Sequence, residues 1–170
     1  MTDQPRVSVL YHGQSGALQA LAQEVGAGAE EEGAVVRIRR VHDRETPGAP
    51  DELRWADAVV IGSPSRYVTL AAPLKSFVES LEKPDGKDLV LSGFVSDDGV
   101  LHGGREATLM TLFRSLLTLG GVLVPAPRAD DPRAAARRTG RDVATVARRL
   151  LTGAVAETGP AVTNAGPVLS

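Results

Sequence analysis

Five short apolar segments alternate along this chain with segments in which apolar residues recur at helical spacing. The apolar segments are residues 7–11, 35–39, 58–62, 89–91 and 122–124. Such alternation is typical of a parallel sheet whose two faces are covered by helices. Because crossovers in these folds are right-handed, five units predict a doubly wound, three-layer α/β fold with the strand order 2-1-3-4-5.

The helices between the strands are indicated by apolar spacing and by residues that begin or end a helix. They are predicted over residues 16–31, 51–55, 70–81, 109–117 and 132–151. Gly33 can end the first helix, and Asp131 can cap the last one with Pro132 at its first position.

The length of 170 residues fits one domain, predicted to span residues 1–153. Residues 154–170 include Pro160 and Gly166 and are expected to form a loose C-terminal tail. The N-terminus is polar, and no apolar run approaches the roughly 20 residues of a membrane span. These features predict a cytoplasmic protein without a membrane partner.

Composition excludes several kinds of site. The chain contains no cysteine, which rules out disulfides, iron–sulfur clusters, zinc–thiolate sites and a cysteine nucleophile, and no metal site is predicted. A net charge of −2 supplies no broad attraction to nucleic acid. The arginines of the last helix lack interleaved aromatic residues, which favours a solvated helix surface over a nucleic-acid site.

Three polar loops follow the predicted ends of strands 1, 3 and 4. They are residues 12–18, 63–70 and 96–104. In a doubly wound sheet, ligands bind beyond the carboxyl ends of the strands where the strand order reverses, here between strands 1 and 3. Gly13, Ser15 and Gly16 open the first helix, whose N-terminus can bind a phosphate. The alternative is a strand-to-helix turn that needs glycine only for its geometry.

Four segments occur in the order found in a known family: residues 10–18 (LYHGQSGAL), 61–67 (IGSPSRY), 103–106 (GGRE) and 121–125 (GVLVP). They resemble the motifs of flavodoxin-like NAD(P)H:quinone oxidoreductases of the tryptophan-repressor-binding-protein type. The resemblance covers about residues 6–151. It implies an FMN cofactor, NAD(P)H as electron donor, a quinone or similar small acceptor, and assembly into a homodimer or homotetramer.

The resemblance also implies a set of cofactor-binding residues. Those around the FMN phosphate are Gly13, Gln14, Ser15, Gly16, Ala17 and Leu18. Those along the isoalloxazine are Ser63, Pro64, Ser65, Arg66 and Tyr67, and the other wall includes Val95, Ser96, Gly103 and Gly104. His12 and His102 lie in the same loops and could donate a hydrogen bond to the flavin or protonate a bound quinone; the alternative for each is a surface histidine.

Two other functions stay open at this point. One is a flavodoxin-type electron carrier, although such carriers are typically acidic and rich in aromatic residues, which this chain is not. The other is a flavodoxin-fold partner or regulatory protein that has lost FMN. It is motivated by Gly13, where the family usually has a hydroxyl residue, and by Thr118-Leu119, where a histidine is common.

Overall fold

A computed structural model describes residues 4–42, 48–65, 70–96, 104–127 and 130–153 of the chain. Five strands and five helices alternate along it. The strands are β1 (Arg6–Tyr11), β2 (Val35–Arg40), β3 (Ala58–Pro64), β4 (Val90–Ser96) and β5 (Val122–Leu123). The helices are α1 (Gly16–Glu31), α2 (Ala49–Trp55), α3 (Ala72–Glu79), α4 (Gly104–Leu117) and α5 (Pro132–Leu151). The predicted tail, residues 154–170, lies outside the described residues, so the extent of the domain stays a prediction.

All five strands are parallel and lie in the order β2-β1-β3-β4-β5, which confirms the predicted fold. Tyr11 is in register with Gly62, and Ser63 is in register with Val95. The carboxyl ends of β1, β3 and β4 therefore meet at one edge of the sheet, where the strand order reverses.

The sheet divides the apolar core into two layers because successive side chains of a strand point to opposite faces. On one face, Val9 and Val60 pack with α1 and α5. On the other face, Leu10 and Ile61 pack with residues of α2, α3 and α4. None of the helices in the described part of the chain has the length and apolar character needed to cross a membrane.

The strands near the site have different lengths from those predicted. The segment from residue 63 was predicted as loop, but β3 continues through Pro64 because β4 runs beside it as far as Ser96. β5 ends at Leu123, one residue earlier than predicted. Its pairing with β4 runs through the Val122 and Val124 N–H groups, which donate to the Leu89 and Leu91 carbonyls at 2.9 and 2.8 Å.

The predicted bounds of the helices agree best with the structure for α1 and α5, whose first residues follow a capping side chain. α1 spans the predicted residues, and Asp131 caps α5 by accepting a hydrogen bond from the Arg133 N–H at 2.9 Å. α3 is shorter than predicted, and Pro73 lies in its first turn, where proline is tolerated. α4 begins five residues earlier than the apolar spacing indicated, at Gly104.

α5 packs along α1 with its arginines facing acidic residues of that helix. Arg137 forms ion pairs with Glu24 at 2.9 Å and with Glu31. The bond from Arg137 lowers the pKa of the Glu31 carboxyl below its ordinary value. Arg148 also pairs with Glu32 at 3.0 Å. Much of the positive charge of α5 is thus matched within the protein, as expected of a solvated helix surface.

α2 attaches to the other side of the sheet through a buried carboxylate. Glu52 accepts a hydrogen bond from the Ser8 hydroxyl at 2.9 Å and forms an ion pair with Arg39 at 2.7 Å. At the end of the same helix, the Arg37 guanidinium lies 3.9 Å from the centre of the Trp55 ring. Trp55 is partly buried against the core.

Candidate functional site

The β1–α1 loop opens at the point where the strand order reverses. Ser15 is the N-cap of α1, and its side-chain oxygen accepts a hydrogen bond from the Leu18 N–H at 3.3 Å. Gly16 is exposed, and a Cβ atom placed there would have no neighbour within 4 Å among the described residues. The first turn contains no acidic residue. Within the described residues, the positive end of this 16-residue helix is therefore exposed, as an anion site requires.

Gly13 occupies the bend that leads into this helix. Its φ of +141° lies in a region that residues with a side chain rarely adopt, and an added Cβ would approach Leu18 Cδ2 to 3.2 Å. The sequence comparison treated Gly13 as the loss of a hydroxyl donor. In the structure, the backbone conformation itself favours glycine at this position, so the loop is adapted to it.

His12 forms two hydrogen bonds with residues of the sheet edge, one through its backbone N–H and one through its imidazole ring. Its N–H donates to the Gly62 carbonyl at 3.1 Å, and its Nδ1 lies 3.0 Å from the Val41 carbonyl oxygen. Because a carbonyl oxygen only accepts, Nδ1 must carry the proton, and Nε2 is then the acceptor atom of the neutral ring. The imidazole is thus fixed on the β2 side of the β1–α1 loop.

The ends of β3 and β4 form the second part of the site, and their polar side chains are buried. Ser63 is 0%, Ser65 2% and Ser96 1% exposed. The Ser65 N–H donates to the Ser96 carbonyl at 2.9 Å, which joins the two strand ends. Val95 and Pro64 are buried beside them. These predicted binding residues therefore form the floor of the site rather than a surface loop.

The Ser65 hydroxyl has no hydrogen-bond partner among the described residues, although it is buried. An unpaired buried hydroxyl is destabilising, so its presence in a folded protein requires an explanation. A polar ligand seated on the ends of β3 and β4 would supply the missing partner. Together with the open end of α1, this atom shows that the site suits a ligand that is anionic at one end and polar along a second edge, as FMN is.

The predicted site residues divide into those that the structure describes and those that it does not. Arg66, Tyr67, His102 and Gly103 lie outside the described residues. Gly104 is buried and opens α4. The site as described thus brings together residues 12–18, the ends of β3 and β4, and the first residue of α4. Within the described ranges, no group of three His, Asp or Glu side chains is arranged to hold a metal ion.

Two residues near the site were missed from the sequence. Phe94 is in register with Gly62, and a Cβ atom on Gly62 would lie 2.3 Å from the Phe94 ring, so the ring covers this glycine. Thr108 of α4 is fully buried and its hydroxyl, like that of Ser65, has no partner in the described part of the chain. The apolar spacing of α4 could have placed Thr108 on its inner face, but only the strand register identifies the pairing of Gly62 and Phe94.

Curated relatives cover most of the chain. A protein of Paracoccus denitrificans named NAD(P)H dehydrogenase (quinone) is 32% identical over 146 residues, covering 75% of this chain and 69% of the relative. A protein of the same name from Archaeoglobus fulgidus is 29% identical over 153 residues, covering 74% of this chain and 78% of the relative. No family model matches the chain.

Solved structures share the fold. The crystal structure of a flavodoxin, WrbA-like protein from Agrobacterium tumefaciens superimposes with a TM-score of 0.67 at 22% identity, covering 86% of this chain and 99% of the other. A flavodoxin from the domain Archaea gives a TM-score of 0.61 at 21% identity, covering 84% of this chain and 99% of the other. These similarities agree with the five-stranded doubly wound sheet described above.

Proposed function

The chain belongs to the NAD(P)H dehydrogenase (quinone) family, and from this premise we propose that it is an FMN-dependent oxidoreductase that passes electrons from NAD(P)H to a quinone or a similar small acceptor. The observation that carries the proposal is the 32% identity with a quinone dehydrogenase over three quarters of the chain. The open N-terminus of α1 and the unpaired Ser65 hydroxyl support it, because both suit FMN.

The chemistry that a bound FMN would supply is two-electron transfer: a hydride from NAD(P)H would provide the electrons, and a quinone that took them up with two protons would become a hydroquinone. The protein's part is to bind and orient. The N–H groups at the start of α1 and the Ser15 hydroxyl would hold the phosphate. Ser65 would bond to the polar edge of the ring system, on a floor formed by the buried ends of β3 and β4.

His12 has a positioning role in this proposal. Its bond to Val41 fixes the ring, and its backbone bond to Gly62 joins the β1–α1 loop to β3. Both bonds hold the proposed phosphate loop against the sheet. A catalytic role for His12 or His102 stays a prediction from the sequence, as does the cytoplasmic location.

We expect the bound flavin to be FMN rather than FAD. The loops at the described edge of the sheet are short, and the sequence contains no second nucleotide-binding motif that could hold an adenylate. Heat should release the flavin from the purified protein, and chromatography should identify it as FMN in about equimolar amount. Recovery of stoichiometric FAD would contradict the prediction, and a protein without flavin absorbance would favour the partner or regulatory alternative.

The outer face of α4 supports the proposed homodimer, or a homotetramer built from two such dimers. Met110 and Leu117 are each 62% exposed on this face. Glu106 and Arg114 lie on the same row, four residues before and four residues after Met110. A two-fold axis at Met110 would therefore bring Glu106 opposite Arg114 of the partner subunit, twice. The face is self-complementary in charge, as an interface between two identical subunits requires.

A charge swap tests this interface. Glu106→Arg would place two arginine pairs across the axis, so we expect the dimer dissociation constant to rise at least about tenfold in sedimentation at low salt. Adding Arg114→Glu should restore the dimer because it reverses both charges together. Glu79→Arg, on the exposed end of α3, is the control and should leave assembly unchanged. If the Glu106→Arg protein stays dimeric, the interface lies elsewhere.

A further inference from the structure

Thr108 carries a buried hydroxyl that behaves differently from those of two other helical threonines, Thr111 and Thr139. Thr111 donates to the Ala107 carbonyl at 2.9 Å, and Thr139 donates to the Ala135 carbonyl at 3.0 Å, each one turn back along its helix. Thr108 is 0% exposed, and its Oγ1 has no hydrogen-bond partner among the described residues. Folding alone does not favour an unpaired buried hydroxyl, since an apolar group of the same shape would be more stable there.

The position of Thr108 follows from the packing of α4 on β4. Leu112 contacts the sheet at Gly93, where an added Cβ would lie 2.6 Å from Leu112 Cδ2. Thr108 is one helical turn, about 5.4 Å, nearer the carboxyl end of the sheet. Val95 is two residues beyond Gly93 in β4, a distance of about 6.6 Å along the strand. Thr108 therefore lies at the level of Val95, whose register partner is Ser63. Gly104, a predicted cofactor-binding residue, lies four residues before Thr108 on the same buried face of α4, one more turn toward the carboxyl end of the sheet.

Thr108 therefore lies at the same end of the sheet as the Ser65 hydroxyl. Among the described residues, these two side chains are the buried ones with an unpaired polar atom. Ser65 directly follows β3, Thr108 is placed by the helical rise near the end of β4, and neither is part of the phosphate loop. Two unpaired buried hydroxyls at the same end of the sheet point to polar partners that the described part of the chain does not itself provide.

We propose that Thr108 belongs to the FMN site, and that its hydroxyl, like that of Ser65, gains a hydrogen bond only when the cofactor is bound. This inference rests on the proposed function, because FMN supplies the polar group that completes the arrangement. It implies that the chain keeps a destabilising hydroxyl in its core for the sake of cofactor binding.

Replacement of Thr108 by valine separates stability from binding, because valine has the same shape without the hydroxyl. In protein freed of FMN, Thr108→Val should raise the melting temperature by about 2–4 °C, since the unpaired group is removed. Fluorescence titration of the same protein should show FMN binding about 3- to 10-fold more weakly. Thr108→Ser, which keeps the hydroxyl, should bind FMN with nearly the parent's affinity.

Thr111→Val is the matched control, because it removes a hydroxyl of the same helix that already has a partner. It should not raise the melting temperature and should leave FMN affinity unchanged. The inference is overturned if Thr108→Val binds FMN as tightly as the parent, or if it destabilises the FMN-free protein as expected for a hydroxyl bonded to a permanent water molecule. Failure of the parent itself to bind FMN would instead overturn the proposed function.

Discussion

Ser15→Asp should weaken FMN binding by one to two orders of magnitude or more. The substitution removes the hydroxyl that would donate to the phosphate and puts a carboxylate at the open end of α1. Loss of one hydrogen bond to a charged group costs roughly 1.5–3 kcal/mol, and repulsion between the carboxylate and the phosphate adds to this cost. Titration of FMN-free protein, followed by flavin fluorescence, measures the change.

The structure makes this substitution a clean test of binding. Ser15 is the N-cap of α1, and aspartate is among the residues preferred at that position, so the helix should keep its start. Arg138→Gln changes the net charge by the same single unit on the exposed side of α5 and should leave affinity unaltered. Equal FMN affinity in Ser15→Asp and the parent would show that the phosphate binds outside the β1–α1 loop.

Gly140→Ala should lower the free energy of unfolding by about 3 kcal/mol, among the largest single-residue effects expected in this fold. α1 and α5 approach so closely that a Cβ atom on Gly140 would lie 1.9 Å from the Val25 carbonyl oxygen. A Cβ on Gly28 would lie equally close to the Arg137 carbonyl. Backbone atoms cannot move aside as a side chain can, so the helices must separate. A fall in melting temperature of about 6–12 °C is expected.

Gly26→Ala is the control for this packing. Gly26 also lies in α1, but the nearest atom to its added Cβ is Ile38 Cδ1 at 2.9 Å, the end of a flexible side chain. Alanine is favoured over glycine inside a helix by roughly 0.5–1 kcal/mol, so the net change should stay within about 1 kcal/mol. If thermal unfolding showed the two variants to be equally stable, the close approach of α1 and α5 would be wrong.

The order of the strands was determined by the sequence alone, and the location of the site was predicted from that order. Apolar runs and helical spacing are local signals, and right-handed crossovers leave few ways to arrange five βα units. The cap of α5 was equally local, because Asp131 stands immediately before Pro132 and the helical spacing that follows. The resemblance of residues 10–18 and 61–67 then indicated the cofactor that such an edge would hold.

Only the tertiary structure decided how the site is built, because its geometry depends on contacts between residues far apart in the chain. β3 continues through Pro64 because β4 pairs with it, and this pairing turns a predicted loop into a buried floor. His12 is held by Val41, 29 residues away. Gly28 and Gly140 look ordinary in the sequence and matter because two helix backbones meet there.

The unpaired hydroxyls of Ser65 and Thr108 could not be found by sequence analysis for the same reason. Whether a buried polar atom has a partner is known only when the segments packed around it are in place.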